Sequence, residues 1–168
     1  MIDLKRIFPE CDADTLLVQL VLQRGLPVHC KGISKVAGSL ERISNNNVFV
    51  LGLVDNDKLK NVPTFIRNFK EYENKVADEK LTILNLAGTQ KFIVRLHPGF
   101  EKWILFVADS CDVKPENYGF EDFEKFKNAA KGESVYENKE FKKFLNEVIQ
   151  KNPPAIQTLK YWLNKANT

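Results

Sequence analysis

Apolar residues along the first two thirds of the chain fall into short runs that are separated by polar and turn-forming residues. The clearest run covers 48–54 (VFVLGLV) and is apolar at nearly every position. A run of this kind predicts a strand that is covered on both faces, as in a parallel sheet. Further strands are predicted over 4–9, 27–31, 81–86 and 91–96, the last either separate or a continuation of the one before it.

Helical patterns lie between these strands. Residues 15–22 are apolar on nearly every side, which predicts a buried helix. Either Asp12 or Asp14 can cap its N-terminus, and Gly25 is in a suitable position to end it. A weaker helix is predicted near 34–44.

Two later segments have amphipathic helical patterns. Over 62–76 the inner face of the predicted helix carries Phe65, Ile66 and Phe69. A second helix begins after 97–99 (HPG). Its apolar face comprises Phe100, Trp103, Ile104 and Val107.

Strand patterns disappear from about residue 113. Helices are predicted over 120–131, 134–151 and 154–165, with Ser134 and Glu137 in a capping-box pattern and Pro153-Pro154 between the last two. Strand–helix alternation followed by helices alone predicts an α/β fold. We expect a three-layer, Rossmann-like, mostly parallel sheet flanked by helices over 1–112, with a helical C-terminal extension over 113–168 packed on this core.

Composition narrows the class of protein. A net charge of +3 over 168 residues does not require a polyanionic partner. No apolar run approaches the roughly 20 residues of a membrane span, and the N-terminus has no signal-peptide pattern. The three cysteines include no CxxC pair and there are two histidines, which disfavours a zinc site and predicts reduced thiols in a cytoplasmic protein.

Carboxylates follow two of the predicted strands directly. Glu10 comes after the first, and Asp55 and Asp57 come after 48–54. Because the carboxyl ends of parallel strands meet at one edge of a sheet, these side chains are expected to lie together. Oxygen donors in such a place suit Mg²⁺. The alternative interpretation is that each acidic residue only caps a helix or forms a turn.

Three segments resemble motifs of Toprim domains. Residues 9–17 (PECDADTLL) resemble the first Toprim motif, and 53–57 (LVDND) resemble its DxD motif. Residues 97–106 (HPGFEKWILF) are similar to an element of small stand-alone Toprim-like proteins, of the RloB-like and OLD types. The resemblance covers roughly 4–108, and it implies that Glu101 joins the acidic site.

Two features depart from the Toprim pattern. Most Toprim domains have glycine directly after the first glutamate, where this chain has Cys11. The DxD motif is followed by Lys58-Leu59-Lys60, whereas topoisomerases and the small maturation ribonucleases continue with an Arg-Gly-Glu-like stretch. Membership of those two subfamilies is therefore not implied.

The resemblance implies phosphoryl transfer on nucleic acid, and the length of the chain fits hydrolysis best. In that interpretation Asp55 and Asp57 hold Mg²⁺ or Mn²⁺, while Glu10 binds metal or activates water. Phosphate contacts are expected from Lys31, Lys35 and Lys58, and lysines or arginines at 60, 91 and 95 are further candidates. The chain has no GxxxxGK[ST] motif, so an ATP-driven step needs a separate ATPase partner.

The sequence also allows two alternative functions. The chain could be a non-catalytic binding protein with the Toprim fold, which the cysteine at position 11 favours. It could also be a receiver-type phosphoacceptor domain, in which Asp55 is phosphorylated and Glu10 and Asp12 hold Mg²⁺. The Pro-Gly turn that receiver domains have shortly after the acceptor is absent here.

Overall fold

The apolar runs that follow one another along the chain become neighbouring strands of one sheet. The computed structural model describes residues 4–56 and 61–166, and within them the sheet has five strands in the order β1-β2-β5-β4-β3. Their bounds are β1 Ile7–Pro9, β2 Val50–Asp55, β3 Lys70–Lys75, β4 Leu81–Asn85 and β5 Lys91–Leu96.

Most of these strands run in the same direction. Strand β2 pairs in parallel with both β1 and β5, whereas β4 pairs antiparallel with both β5 and β3. Only β4 of the described strands is therefore reversed. All six residues of β2 are buried, as the continuous apolar run predicted.

Helices cover both faces of the sheet and make three layers. Alternate residues of β2 point to opposite faces: Leu51 and Leu53 join one apolar cluster, and Val50 and Val54 join the other. The larger cluster also includes residues of the C-terminal helices. The helices are α1 Asp12–Leu22, α2 Ile33–Arg42, α3 Thr64–Arg67, α4 Val76–Glu79, α5 Phe100–Ser110, α6 Phe123–Ala129, α7 Lys139–Lys151 and α8 Pro154–Lys165.

The predicted strand over 27–31 is wrong. This segment runs beside β1, where the N–H of Cys30 donates to Pro9 O at 2.9 Å and the N–H of Gly32 donates to Glu10 O at 3.1 Å. Pro27 has no N–H to donate, so a regular ladder does not begin there. The predicted strand over 4–9 is also shorter, because Leu4–Arg6 form a 3₁₀ turn before β1.

The predicted helix over 62–76 is wrong over most of its length. Helix α3 has only four residues, and β3 follows it. The apolar residues Ile66 and Phe69 are buried and Phe65 packs against them, which accounts for the helical spacing in the sequence. Strand β3 forms the edge of the sheet and is largely exposed, so it lacks the apolar alternation that reveals a strand.

The caps of two helices differ from those predicted. Asp14 takes part in the cap of α1 as the second member of a capping box, but it is not the N-cap residue. Helix α1 is capped by Cys11, whose Sγ accepts from the N–H of Asp14 at 3.4 Å, and it ends at Gln23 in a left-handed conformation rather than at Gly25. Helix α7 begins after Asn138, whose Oδ1 accepts from the N–H of Phe141 at 3.0 Å. The Ser134/Glu137 capping box is therefore not formed, and a short 3₁₀ turn occupies 133–136.

Among the described residues no helix is both long enough and apolar enough to cross a membrane.

The helices predicted near 34–44, after 97–99 and over 154–165 are confirmed to within two residues by α2, α5 and α8. The helix predicted over 120–131 is shorter at both ends, because Asp122 caps it and it ends at Ala129.

Gly52 lies at the centre of β2, where α2 packs closely on the sheet. A Cβ at this position would lie 2.9 Å from Cγ1 of Val36 and 3.3 Å from Cδ1 of Leu40. Carbon atoms in contact normally stay about 3.5–4.0 Å apart. We therefore expect Gly52→Ala to lower the free energy of unfolding by about 1–3 kcal/mol in urea titrations.

Gly38 provides the matched control for this substitution. It lies in α2, and a Cβ there would meet no described atom within 4 Å. Gly38→Ala is expected to raise the free energy of unfolding by about 0.5–1 kcal/mol, because alanine favours the helix. A Gly52→Ala variant as stable as the wild type would contradict the close packing of α2 on β2.

Candidate functional site

Glu10 and Asp55 lie next to each other at the carboxyl ends of β1 and β2. The parallel pairing continues past β1, where the N–H of Glu10 donates to Leu53 O at 2.9 Å. The N–H of Asp55 then donates to Oε2 of Glu10 at 3.0 Å. Both residues are buried, with exposed fractions of 1% for Glu10 and 7% for Asp55. The parallel register thus brings together two acidic residues that are 45 positions apart.

The first turn of α5 holds the Asp55 side chain. The N–H of Phe100 donates to Oδ1 of Asp55 at 2.9 Å. A helix N-terminus presents N–H groups without partners inside the helix, and its partial positive charge favours a carboxylate. The segment 97–106 is therefore part of the site through its backbone, as well as through Glu101.

A cavity of about 520 Å³ opens in front of these two carboxylates. Side chains from the sheet edge and from the C-terminal helical region line it together. Both signs of charge line it. The carboxylates are Glu10, Asp12, Asp55, Glu101 and Glu133, and the lysines are Lys31, Lys127 and Lys131.

Most of the described residues that the sequence assigned to the site lie around this cavity. Glu10, Asp55, Glu101 and Lys31 line it together. Lys35 is exposed on α2. The remaining predicted residues, Asp57 and Lys58, lie outside the described residues, as does Lys60.

The two other basic candidates differ in position. Lys91 begins β5 and pairs with Val50, so it lies at the edge of the sheet opposite the cavity. Its side chain is buried, with Nζ 5.6 Å from the centre of the Phe65 ring. Arg95 pairs with Val54 near the carboxyl end of β2. The prediction that Lys91 contacts phosphate at this site is therefore wrong.

Sequence reasoning missed the two lysines that the C-terminal region contributes. Lys127 lies in α6 and Lys131 follows that helix, four positions later. Charges of alternating sign in this region are typical of a solvated surface, so the sequence pattern did not indicate that these two lysines line a cavity. They reach the cavity because α1 packs against α7, α8 and the turn at 133–136.

The donor atoms can be tested against the metal that the resemblance implies. Their chemistry fits Mg²⁺ or Mn²⁺, because Glu10, Asp55 and Glu101 offer hard oxygen donors. Within residues 4–56 and 61–166, no group of three acidic, histidine or cysteine side chains is placed to hold a metal ion. Asp57, the other carboxylate that the sequence assigned to this metal, lies outside the described residues.

Asp14 and Cys11 form a hydrogen-bonded pair in which Asp14 is buried and Cys11 lines the cavity. Oδ2 of Asp14 accepts from the Sγ–H of Cys11 at 3.1 Å and from its N–H at 3.3 Å. Burial, followed by the charge of Asp55, raises the pKa of Asp14 well above its usual value. Burial, followed by the charge of Asp14, also raises the pKa of the Cys11 thiol. Cys11 therefore caps α1, and its raised pKa disfavours the thiolate form that a nucleophile needs.

His29 lies at the mouth of the cavity within a polar network. Its Nδ1 is 3.0 Å from Oγ1 of Thr15, and its Nε2 is 3.6 Å from Oδ1 of Asp12. The hydroxyl of Tyr136 donates to the same Asp12 oxygen at 3.1 Å. Burial and this hydrogen bond raise the pKa of Tyr136 to about 12. The network thus connects α1 to the turn at 133–136.

The fold and the site define a three-layer α/β protein of Rossmann-like architecture with a carboxylate-rich cavity at the carboxyl ends of parallel strands. No protein-family model, no curated protein and no solved structure matches the chain.

Proposed function

We propose that the chain is a Toprim-like hydrolase that cleaves phosphodiester bonds of nucleic acid with Mg²⁺ or Mn²⁺. One observation carries this proposal. The buried carboxylates of Glu10 and Asp55 lie together on neighbouring parallel strands, and they face a cavity that three lysines also line. A cytoplasmic location is part of the proposal, since Cys11, Cys30 and Cys111 are all free thiols.

The arrangement of charges supports a ligand that combines a cation with phosphate. Five carboxylates around one cavity repel one another, and a divalent cation would relieve that repulsion. The lysines that line the same cavity would in turn attract the phosphate of a substrate.

The residues take different roles in the proposed reaction. Asp55 and Asp57 would hold the metal, with Glu101 as a further donor. When bound, the metal supplies positive charge that neutralises the phosphate and stabilises the leaving oxygen. Lys31, Lys127 and Lys131 orient the phosphate. Glu10 accepts a proton from the attacking water. The N–H of Asp55 donates to Oε2 of Glu10 and so orients that carboxylate.

The metal is tested by calorimetric titration with Mn²⁺. The wild type is expected to bind Mn²⁺ with measurable heat, and the Asp55→Asn/Asp57→Asn double variant is expected to lose this heat because the neutral amides are weaker ligands. Asp109→Asn/Asp112→Asn is the matched control. In the wild type the carboxylates of Asp109 and Asp112 lie on the surface near Lys114, with side chains that are 82% and 88% exposed.

Hydrolysis is measured on the same three proteins with fluorescent single-stranded DNA and RNA. We expect cleavage by the wild type and by the surface control, and none by the Asp55/Asp57 double variant. Negligible heat with every protein would remove the metal site and the hydrolase proposal with it. Mn²⁺ binding without cleavage would instead identify a non-catalytic binding protein, whose activity depends on a separate partner such as an ATPase.

A further inference from the structure

We propose that His29 donates a proton to the leaving oxygen during hydrolysis, an inference that rests on the proposed function. His29 lines the cavity that contains Glu10 and Asp55. It also lines a second cavity of about 620 Å³, which shares Asp12 and Glu133 with the first. A substrate that extends from the first cavity into the second would therefore meet His29.

The hydrogen bonds of Thr15 determine which ring nitrogen of His29 carries a fixed proton. Oγ1 of Thr15 donates to the carbonyl oxygen of Cys11 at 2.8 Å. A hydroxyl has only one hydrogen, and while that hydrogen is donated to Cys11, the contact at 3.0 Å between Oγ1 and Nδ1 of His29 favours the ring as the donor. The proposal therefore assigns the fixed proton to Nδ1, which leaves Nε2 as the nitrogen that exchanges a proton.

Asp12 lies beside Nε2 of His29 without forming a hydrogen bond to it. Oδ1 of Asp12 lies 3.6 Å from Nε2, which is close enough for charge attraction but beyond a hydrogen bond. That oxygen already accepts the hydroxyl of Tyr136. Nε2 is therefore left able to point at a substrate. Asp12, Thr15 and Tyr136 act as positioning residues.

The proposed step balances in atoms and charge. The oxygen of water forms a bond to phosphorus as the bond from phosphorus to the leaving oxygen breaks. One proton of the water passes to the Glu10 carboxylate, and the Nε2 proton of His29 passes to the leaving oxygen, which departs as an alcohol. A proton then returns from Glu10 to His29 through solvent. The sum is one water added across one phosphodiester.

Leaving groups of different basicity test this role. The substrates are the p-nitrophenyl and phenyl esters of thymidine monophosphate and uridine monophosphate, with Mn²⁺ present. p-Nitrophenolate leaves without a proton, whereas the more basic phenolate needs one. We expect His29→Gln to slow the phenyl esters by about 10²–10⁴-fold, and the p-nitrophenyl esters by about tenfold or less.

His97→Gln is the matched control, because His97 is the other histidine of the chain and its Nε2 contacts Oγ1 of Thr82 at 2.8 Å. Any effect of this change should be equal for the two kinds of ester. Equal slowing of both kinds by His29→Gln would overturn the proton-donor role. If the wild type cleaves p-nitrophenyl esters and the Asp55→Asn variant does not, the proposed function stands and only His29 is in question. No cleavage by the wild type would overturn both proposals.

The ring tautomer gives a measurement that does not depend on activity. Long-range ¹H–¹⁵N correlation spectra of the metal-free wild type are expected to show the His29 proton on Nδ1 when the ring is neutral. Thr15→Val, which removes the acceptor and keeps the shape of the side chain, should shift the proton towards Nε2. A wild-type ring with its proton on Nε2 would overturn the proposal even if every variant folds.

Discussion

Replacement of Trp103 by alanine is expected to lower the free energy of unfolding by about 3–5 kcal/mol, a large share of the total for a domain of ordinary stability. Trp103 has an exposed fraction of 0% and lies in the larger apolar cluster. Its Nε1 donates to the carbonyl oxygen of Glu79 at 3.0 Å. The substitution therefore leaves a cavity and an unpaired carbonyl together. Urea titration monitored by circular dichroism measures the loss.

The second tryptophan of the chain separates these two causes. Trp162 is similarly buried, but its Nε1 has no hydrogen-bond partner among the described residues. Trp103→Phe should therefore lower the free energy of unfolding by about 1–3 kcal/mol more than Trp162→Phe, since only the first substitution leaves a buried acceptor unsatisfied. Equal costs for the two substitutions would show that the bond to Glu79 does not contribute to stability.

Asp14→Asn is expected to stabilise the metal-free protein, and increasingly so as the pH rises. Burial and the charge of Asp55 raise the pKa of Asp14 above its usual 3.8, so the folded chain keeps a proton that the unfolded chain releases. Wild-type stability therefore falls with pH above 3.8 until Asp14 ionises in the folded state. Asparagine does not ionise, and its side-chain oxygen can still accept from Cys11.

The difference in unfolding free energy between Asp14→Asn and the wild type should grow by about 1.4 kcal/mol for each pH unit in that range. Urea titrations with a chelator present, between about pH 4 and pH 7, measure this slope. Asp122→Asn is the control, because Asp122 caps α6 on the surface. Asparagine and aspartate cap equally well, so its effect should stay within about 0.5 kcal/mol. A difference that does not change with pH would contradict a protonated Asp14.

The parts of the fold that could be predicted from sequence are those where burial leaves a periodic pattern. Strand β2 is buried at all six positions, and α5 buries one face, so both patterns were clear. Strand β3 is exposed at the edge of the sheet, where charged residues do not alternate with apolar ones. The segment 27–31 looked like a strand because its side chains suit one, but pairing depends on backbone donors that a side-chain pattern does not show.

The candidate site could likewise be predicted from the sequence only in part. Glu10 and Asp55 could be placed together because parallel neighbours end at the same edge of a sheet. Lys127 and Lys131 could not, since their position depends on how the C-terminal helices pack against α1. His29 belongs to no motif. Its proposed role depends on contacts with Thr15 and Asp12 that form only in the folded structure.

The hydrogen bond between Tyr136 and Asp12 joins residues 124 positions apart, and this separation has a consequence during protein synthesis. A chain emerging from the ribosome presents Glu10 and Asp55 long before the lysines of α6 and the turn at 133–136. The wall of the cavity that carries Lys127 and Lys131 is then still missing. The cavity of about 520 Å³ is therefore complete only after the later helices have docked against α1.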